Sequence, residues 1–170
     1  MLSYQKVGTK IMQVINYFES DKKEHWLERI KKCDWRAGAY LHELLTDGSF
    51  FEKVGEGSRL LLLTDGDELA AFCTYAKIDE IQPTELSPWI GFVYTFPKYR
   101  GRRLAGLLFE EAERLAKEED KTRLYISTDH IGLYEKYGFD FRELAQTIYG
   151  KTSRVYEKRI GRNELWKFVN

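Results

Sequence analysis

"YRGRRLAGLL", residues 99–108, sets three arginines and two glycines at the threshold of an apolar helix, in a chain with no net charge. Upstream, "WIGFVYTF" (89–96) is rich in aromatic and β-branched residues and is stopped by Pro97, which predicts a strand. Downstream, Leu104, Leu107, Leu108, Ala112, Leu115 and Ala116 mark one face of a helix, and Glu110, Glu111, Glu113, Arg114 and Lys117 mark the other. A strand, a tight loop holding Gly101 and a helix leave several amide N–H groups unpaired at the positive end of the helix dipole. Those donors can cradle a phosphate. The dipole itself contributes only about 0.3–1 kcal/mol, so converging N–H groups and neighbouring arginines must supply most of the grip. On this stretch alone, solvated surface arginines and an anion-binding loop weigh about equally.

The bulk numbers narrow the choice. At 170 residues the chain suits one domain, 1–170, with a real core. Its 27 Lys and Arg balance 27 Asp and Glu, so there is no global basic field of the kind on which non-specific nucleic-acid or anionic-membrane binding relies. Any anion site must be local. No apolar run approaches the roughly 18 residues of a membrane span. Cys33 and Cys73 are far apart, with no metal-ligand spacing around either. They read as small buried apolar residues of a reducing cytosol, so a cytoplasmic protein without a metal is expected. The start, "MLSYQKVGTKIMQVINYF", lacks the apolar block and cleavage site of an export signal.

Along the chain, Trp26, Leu27 and Ile30, then Tyr40, Leu41, Leu44 and Leu45, fall at helical spacing and predict two short amphipathic helices. "RLLLLTDGDELAAFCTYAKI" (59–78) gives two apolar runs around Asp65-Gly66-Asp67, the turn chemistry of an antiparallel hairpin. After the 89–117 strand and helix, "RLYIST" (123–128) is a strand, and "IGLYEKYG" a short helical stretch ending at Gly138. Two last strands near 139–144 and 154–160 flank a turn at Gly150. The order describes an α+β domain: a mixed, mostly antiparallel central sheet flanked by helices.

Two segments, "FVYTFPKYRGRRLAGLLFEEA" and "LYISTDHIGLYEKYGFDF", together resemble the GNAT superfamily of acetyl-coenzyme A-dependent N-acetyltransferases. The family signature, Arg/Gln-x-x-Gly-x-Gly/Ala, falls on Arg100, Gly101, Arg102, Arg103, Leu104 and Ala105. Its second hallmark falls on Tyr134, Glu135, Lys136, Tyr137, Gly138 and Phe139. The resemblance implies the acyl-CoA N-acyltransferase fold, with acetyl-coenzyme A as co-substrate. By the same resemblance, the backbone of Val93, Tyr94 and Thr95 pairs with the pantetheine amides, and N–H groups from Gly101 to Gly106 hold the pyrophosphate. One position departs from the family: its inner glycine is Arg103 here. An arginine fits if a helical conformation turns its Cβ away from the ligand, and that conformation is expected, with the guanidinium in reach of a cofactor phosphate.

Acetyl transfer needs a neutral amine. Lowering an amine from a pKa of about 10.4 to neutrality near pH 7 corresponds to roughly 4–5 kcal/mol, so a base, a water relay or a desolvating pocket is required. Tyr134 matches the tyrosine that family members place beside the coenzyme sulfur and is the candidate general acid. No base stands out. Strand 89–96 contains no carboxylate, unlike relatives that keep a glutamate there, and Asp129 and His130 can relay a proton or simply cap and face solvent. Trp89, Tyr94, Phe72, Tyr75, Tyr149 and Tyr156 are candidates for an aromatic acceptor pocket, with "YGKTSRVYEK" (149–158) as a wall. The expected acceptor is a primary amine of a small molecule or peptide, attacking directly. The alternative is a catalytically degenerate domain that binds coenzyme A as a sensor. Monomer and homodimer both stay open.

Overall fold

The structure is a computed structural model that describes residues 3–7 and 10–161, with side chains from residue 12. The remaining residues of the expected 1–170 domain lie outside the described ones. Among the described residues eight strands, β1 (Ser3–Val7), β2 (Lys10–Asn16), β3 (Arg59–Asp65), β4 (Glu68–Ala76), β5 (Trp89–Thr95), β6 (Arg123–Thr128), β7 (Asp140–Gln146) and β8 (Thr152–Arg159), form one sheet in the order β1-β2-β3-β4-β5-β6-β8-β7. Every pairing is antiparallel except β5 with β6. Among the described residues four α-helices, α1 (Lys23–Lys31), α2 (Arg36–Asp47), α3 (Phe50–Val54) and α4 (Ala105–Glu118), cover its faces. The α+β class with a mixed, mostly antiparallel sheet is what the sequence pattern predicts. The opening β1–β2 hairpin and α3 are additions to it.

The four leucines of β3 divide between the faces. Leu60 and Leu62 pack with Trp26, Ile30, Leu41 and Phe50 on the α1–α3 side, while Leu61 and Leu63 pack with Leu108, Ala112 and Leu115 of α4. Both faces are covered, so β3 and β4 read as continuous apolar runs rather than alternating ones. The two-residue turn Gly66-Asp67 joins them, with Gly66 at φ +62°.

The local irregularity that shapes the site lies in β5. Gly91 opposes Thr74 and Tyr94 opposes Phe72, so Phe92 and Val93 together face Cys73. This bulge puts Phe92 at φ +48° and bends the strand. Pairing with β6 is accordingly limited to Trp89 with Tyr125 and Ile90 with Ile126. Beyond Ile90 the two strands part, and the sheet opens into a cleft.

Candidate active site

One wall of the cleft is the far edge of β5. The Phe96 N–H donates to Ala70 O at 2.9 Å, so by strand alternation the main chain of Tyr94 also faces β4, and that of Val93 and Thr95 faces the cleft. This corrects the expectation for Tyr94, whose ring is likewise committed: it stacks on Trp35 at 5.8 Å, and its hydroxyl donates to Asp34 at 2.6 Å. The Thr95 carbonyl accepts from Arg100 Nε at 2.9 Å.

Residues 97–104 fold back from β5 into α4. A 3-10 turn over Pro97–Tyr99 starts the loop, and the Tyr99 hydroxyl ties it to the β3–β4 hairpin through Asp65 at 2.8 Å and through Glu68. Gly101 sits at φ +81° with open space beside it. The amides of Gly101, Arg102, Arg103, Leu104 and Ala105 have no hydrogen-bond partner among the described residues, whereas Gly106 N–H donates to Arg103 O at 3.1 Å. The Gly106 amide is therefore turned back into the helix start instead of outward. Arg100 lies over the Tyr94 ring and Arg102 over the Tyr99 ring, each at 5.5 Å. Arg103 is exposed and lies at φ +52°, in the left-handed region rather than the helical one expected. The physical reason is that the chain must reverse just before Leu104, the N-cap of α4, and a glycine-type conformation makes that reversal whatever residue occupies it.

A cavity of about 720 Å³ fills the cleft between β5 and β6. Tyr134, in the short turn Tyr134–Tyr137 that Gly138 closes at φ +87°, lines it. Its ring is wedged against Phe109 and Phe139, at 6.1 and 6.2 Å between centroids, and its hydroxyl has no partner among the described residues. Burial pushes the phenol well above its ordinary pKa, so Tyr134 is protonated at neutral pH and has a proton to donate. Asp129 and His130 stand at the mouth of the cavity. Asp129 is ion-paired with Lys151 at 2.5 Å, and neither residue caps a helix; Thr128 Oγ1 accepts the His130 N–H at 3.1 Å in a local turn.

Of the six aromatic candidates for the acceptor pocket, only Tyr149 lines the cavity; Trp89, Phe72, Tyr75, Tyr94 and Tyr156 are core. Trp35, Tyr40 and Phe92 take their place, while Tyr149, Lys151 and Ser153 come from the expected wall. Cys73 is buried as expected, but Cys33 is only half-buried.

The sequence offers no cue to Asp79. It lies between β4 and β5, and its Oδ1 accepts the Glu80 N–H at 2.6 Å. Burial raises its carboxyl to a pKa of about 7, against the Glu80 N–H, which pulls it down, and with a smaller push from the Glu80 charge. Glu80 itself accepts from Ser127 Oγ at 2.8 Å. Register across β4 and β5, which is a long-range property, brings Asp79 to the site.

With this geometry in place, likeness to other proteins becomes informative. The sequence model of the Acetyltransferase (GNAT) family matches residues 12–139. No curated protein matches in sequence. Among solved structures, a GNAT family N-acetyltransferase from Escherichia coli in complex with CoA is similar at TM-score 0.64 and 18% identity, over 92% of this chain and 86% of that one. A GNAT family acetyltransferase from Staphylococcus aureus is similar at TM-score 0.60 and 16% identity, over 88% and 99%. An aminoglycoside 6'-N-acetyltransferase complexed with coenzyme A is similar at TM-score 0.61 and 12% identity, over 88% and 98%. At such identities the structures speak to the fold, and the family match spans most of the chain. The cleft, the loop before α4 and the match over residues 12–139 together make this chain a member of the GNAT acetyltransferase family.

Proposed function

We propose that the protein is an acetyl-coenzyme A-dependent N-acetyltransferase acting by direct attack of a primary amine carried by a small molecule or a peptide. The observation that carries this reading is the pair of main-chain surfaces on either side of the β5–α4 loop: the β5 edge at Val93 and the Thr95 N–H, turned away from β4, and the amide row 101–105, which has no hydrogen-bond partner among the described residues. Exposed main-chain groups of this kind favour a partner that supplies matching donors and acceptors. The pantetheine arm offers amides to the first surface, and a diphosphate offers oxygens to the second. Arg103 flanks the amide row and adds a cation there, while Arg100 and Arg102 brace the loop against aromatic rings. Tyr134 delivers a proton to the departing sulfur. The two free thiols suit a reducing compartment such as the cytoplasm.

Calorimetry with coenzyme A and with its acetyl ester tests the first half of the reading, and saturable heat is expected from both. Thiol release across a panel of amines, with the products identified by mass spectrometry, tests the second half. A second reading, a coenzyme A sensor, is favoured by the absence of a carboxylate on β5. Tight binding without thiol release for any acceptor would select it.

A further inference from the structure

Thr74 Oγ1 is the buried side-chain oxygen that has no hydrogen-bond partner among the described residues, on a residue only 1% exposed. Leaving such an atom unpaired destabilises a fold, and a ligand group that binds it removes the deficit. It points at Gly91 on the cavity wall. A Cβ added to Gly91 would sit 3.0 Å from Thr74 Oγ1 and 3.1 Å from Asp79 Oδ2, so any side chain at 91 would fill the space where these two oxygens converge. The oxygens thus lie against the bare Cα of Gly91, within about 6 Å of each other. Thr74, Asp79, Gly91 and Tyr134 all line the same cavity.

We propose that Thr74 Oγ1 and the Asp79 carboxylate, meeting over the bare Cα of Gly91, bind the acceptor as its alkylammonium ion and that Asp79 takes its proton. The proposal rests on the acetyl-transfer reading above and specifies its acceptor: a primary alkylamine that arrives charged. An ammonium group brings three donors to a site that offers acceptors. Glu80 is engaged by Ser127, and Asp129, at the mouth, by Lys151. Asp79 Oδ2 has no hydrogen-bond partner among the described residues. The remaining charges facing the cavity are Glu52 and Lys53 from α3, with Lys53 Nζ over the Tyr149 ring at 5.7 Å, and His130 just after β6. A carboxyl titrating at about 7 matches the requirement on a general base at neutral pH.

In the step itself, one N–H bond of the ammonium breaks and its proton moves to Asp79 Oδ2. The freed nitrogen lone pair bonds to the thioester carbonyl carbon, and the C–S bond breaks with its electrons on sulfur. Tyr134 protonates that sulfur, the second nitrogen proton restores the phenol, and Asp79 returns the first proton to solvent. The products are an amide, a thiol and one proton.

The test uses the full chain with acetyl-coenzyme A and a panel of primary alkylamines, with hydroxylamine as an acceptor that is largely neutral at pH 7. Asp79→Asn is expected to lower kcat/KM for alkylamines at pH 7 by about a hundredfold or more. That loss should shrink as pH rises toward the amine's own pKa, and hydroxylamine should be largely spared. Thr74→Val, which removes the orphaned oxygen without changing shape, should raise KM for alkylamines and leave coenzyme A affinity unchanged. Equal losses for both acceptor types, at all pH values, would make Asp79 structural and overturn the proposal. A carboxyl ¹³C titration decides the matter without turnover: Asp79 should titrate near 7, and methylammonium chloride should lower that midpoint in the wild type but not in Thr74→Val. A midpoint in the ordinary carboxylate range, or one indifferent to methylammonium, would overturn the proposal. Failure of the parent reading registers separately, as absence of heat with coenzyme A.

Discussion

Replacing Arg103 with glycine separates the backbone strain of this residue from the phosphate contact proposed for its side chain. At φ +52° an arginine bears left-handed strain of about 1–2 kcal/mol. Glycine removes it but adds back about 0.5–1 kcal/mol of unfolded-chain entropy. The balance is a ligand-free protein more stable by roughly 0.5–1 kcal/mol. For a chain of this length that corresponds to a Tm higher by about 1–4 °C. Arg102 is not among the positive-φ residues, so Arg102→Gly brings only the entropic cost and should lower Tm. The same Arg103→Gly change deletes a cation beside the amide row, and coenzyme A affinity should fall about tenfold, the scale of one charge-assisted hydrogen bond discounted for exposure. Thermal unfolding of the free protein and calorimetry with coenzyme A read the two quantities independently. A lower Tm for Arg103→Gly would refute the strain argument. Unchanged or improved affinity would refute the phosphate contact while leaving the loop assignment intact.

Tyr134→Phe should reduce kcat by tenfold or more while coenzyme A binds within about threefold of wild type; near-normal turnover would remove the hydroxyl from the mechanism. Asp79 also bears on stability: its folded pKa of about 7 lies above the unfolded value of about 3.9, so folding loses stability as pH rises through that window. Asp79→Asn should therefore raise Tm at pH 8, regaining up to about 4 kcal/mol of stability, and change little at pH 4; the reverse order in a melt series would show that the carboxyl is not buried unfavourably. Gly91→Ala places a methyl at the point shared by Thr74 Oγ1 and Asp79 Oδ2, and steady-state kinetics should show KM for the amine rising more than KM for acetyl-coenzyme A. Leu108→Ala, cutting a fully buried side chain of α4, should cost about 2–5 kcal/mol in a denaturant titration.

Features written in local chemistry were legible in the sequence. Gly66 and Asp67 set the β3–β4 turn, Pro97 ended β5, the apolar face of α4 announced its helix, and Gly138 closed the turn after Tyr134. Features that depend on long-range register were not. Asp79 lies in a segment with no distinctive spacing, and only the pairing of β4 with β5 sets it over Gly91. The conformation of Arg103 was hidden for a different reason: arginine is an ordinary helix residue, so local preference suggested a helical start, and the geometry of the reversal overrode it. The aromatic wall was misjudged because Trp89, Phe72, Tyr75 and Tyr156 are as valuable to a core as to a pocket, and burial alone distinguishes the two uses.

The single extra residue in β5 has a mechanical consequence. Because β5 and β6 hold each other by two residue pairs only, the sheet is two leaves stitched along a short seam, with β1–β5 in one leaf and β6–β8 in the other. A molecule threaded between them would complete the seam and brace the leaves against each other. Amide hydrogens of Val93 and Thr95 should then exchange with solvent far more slowly.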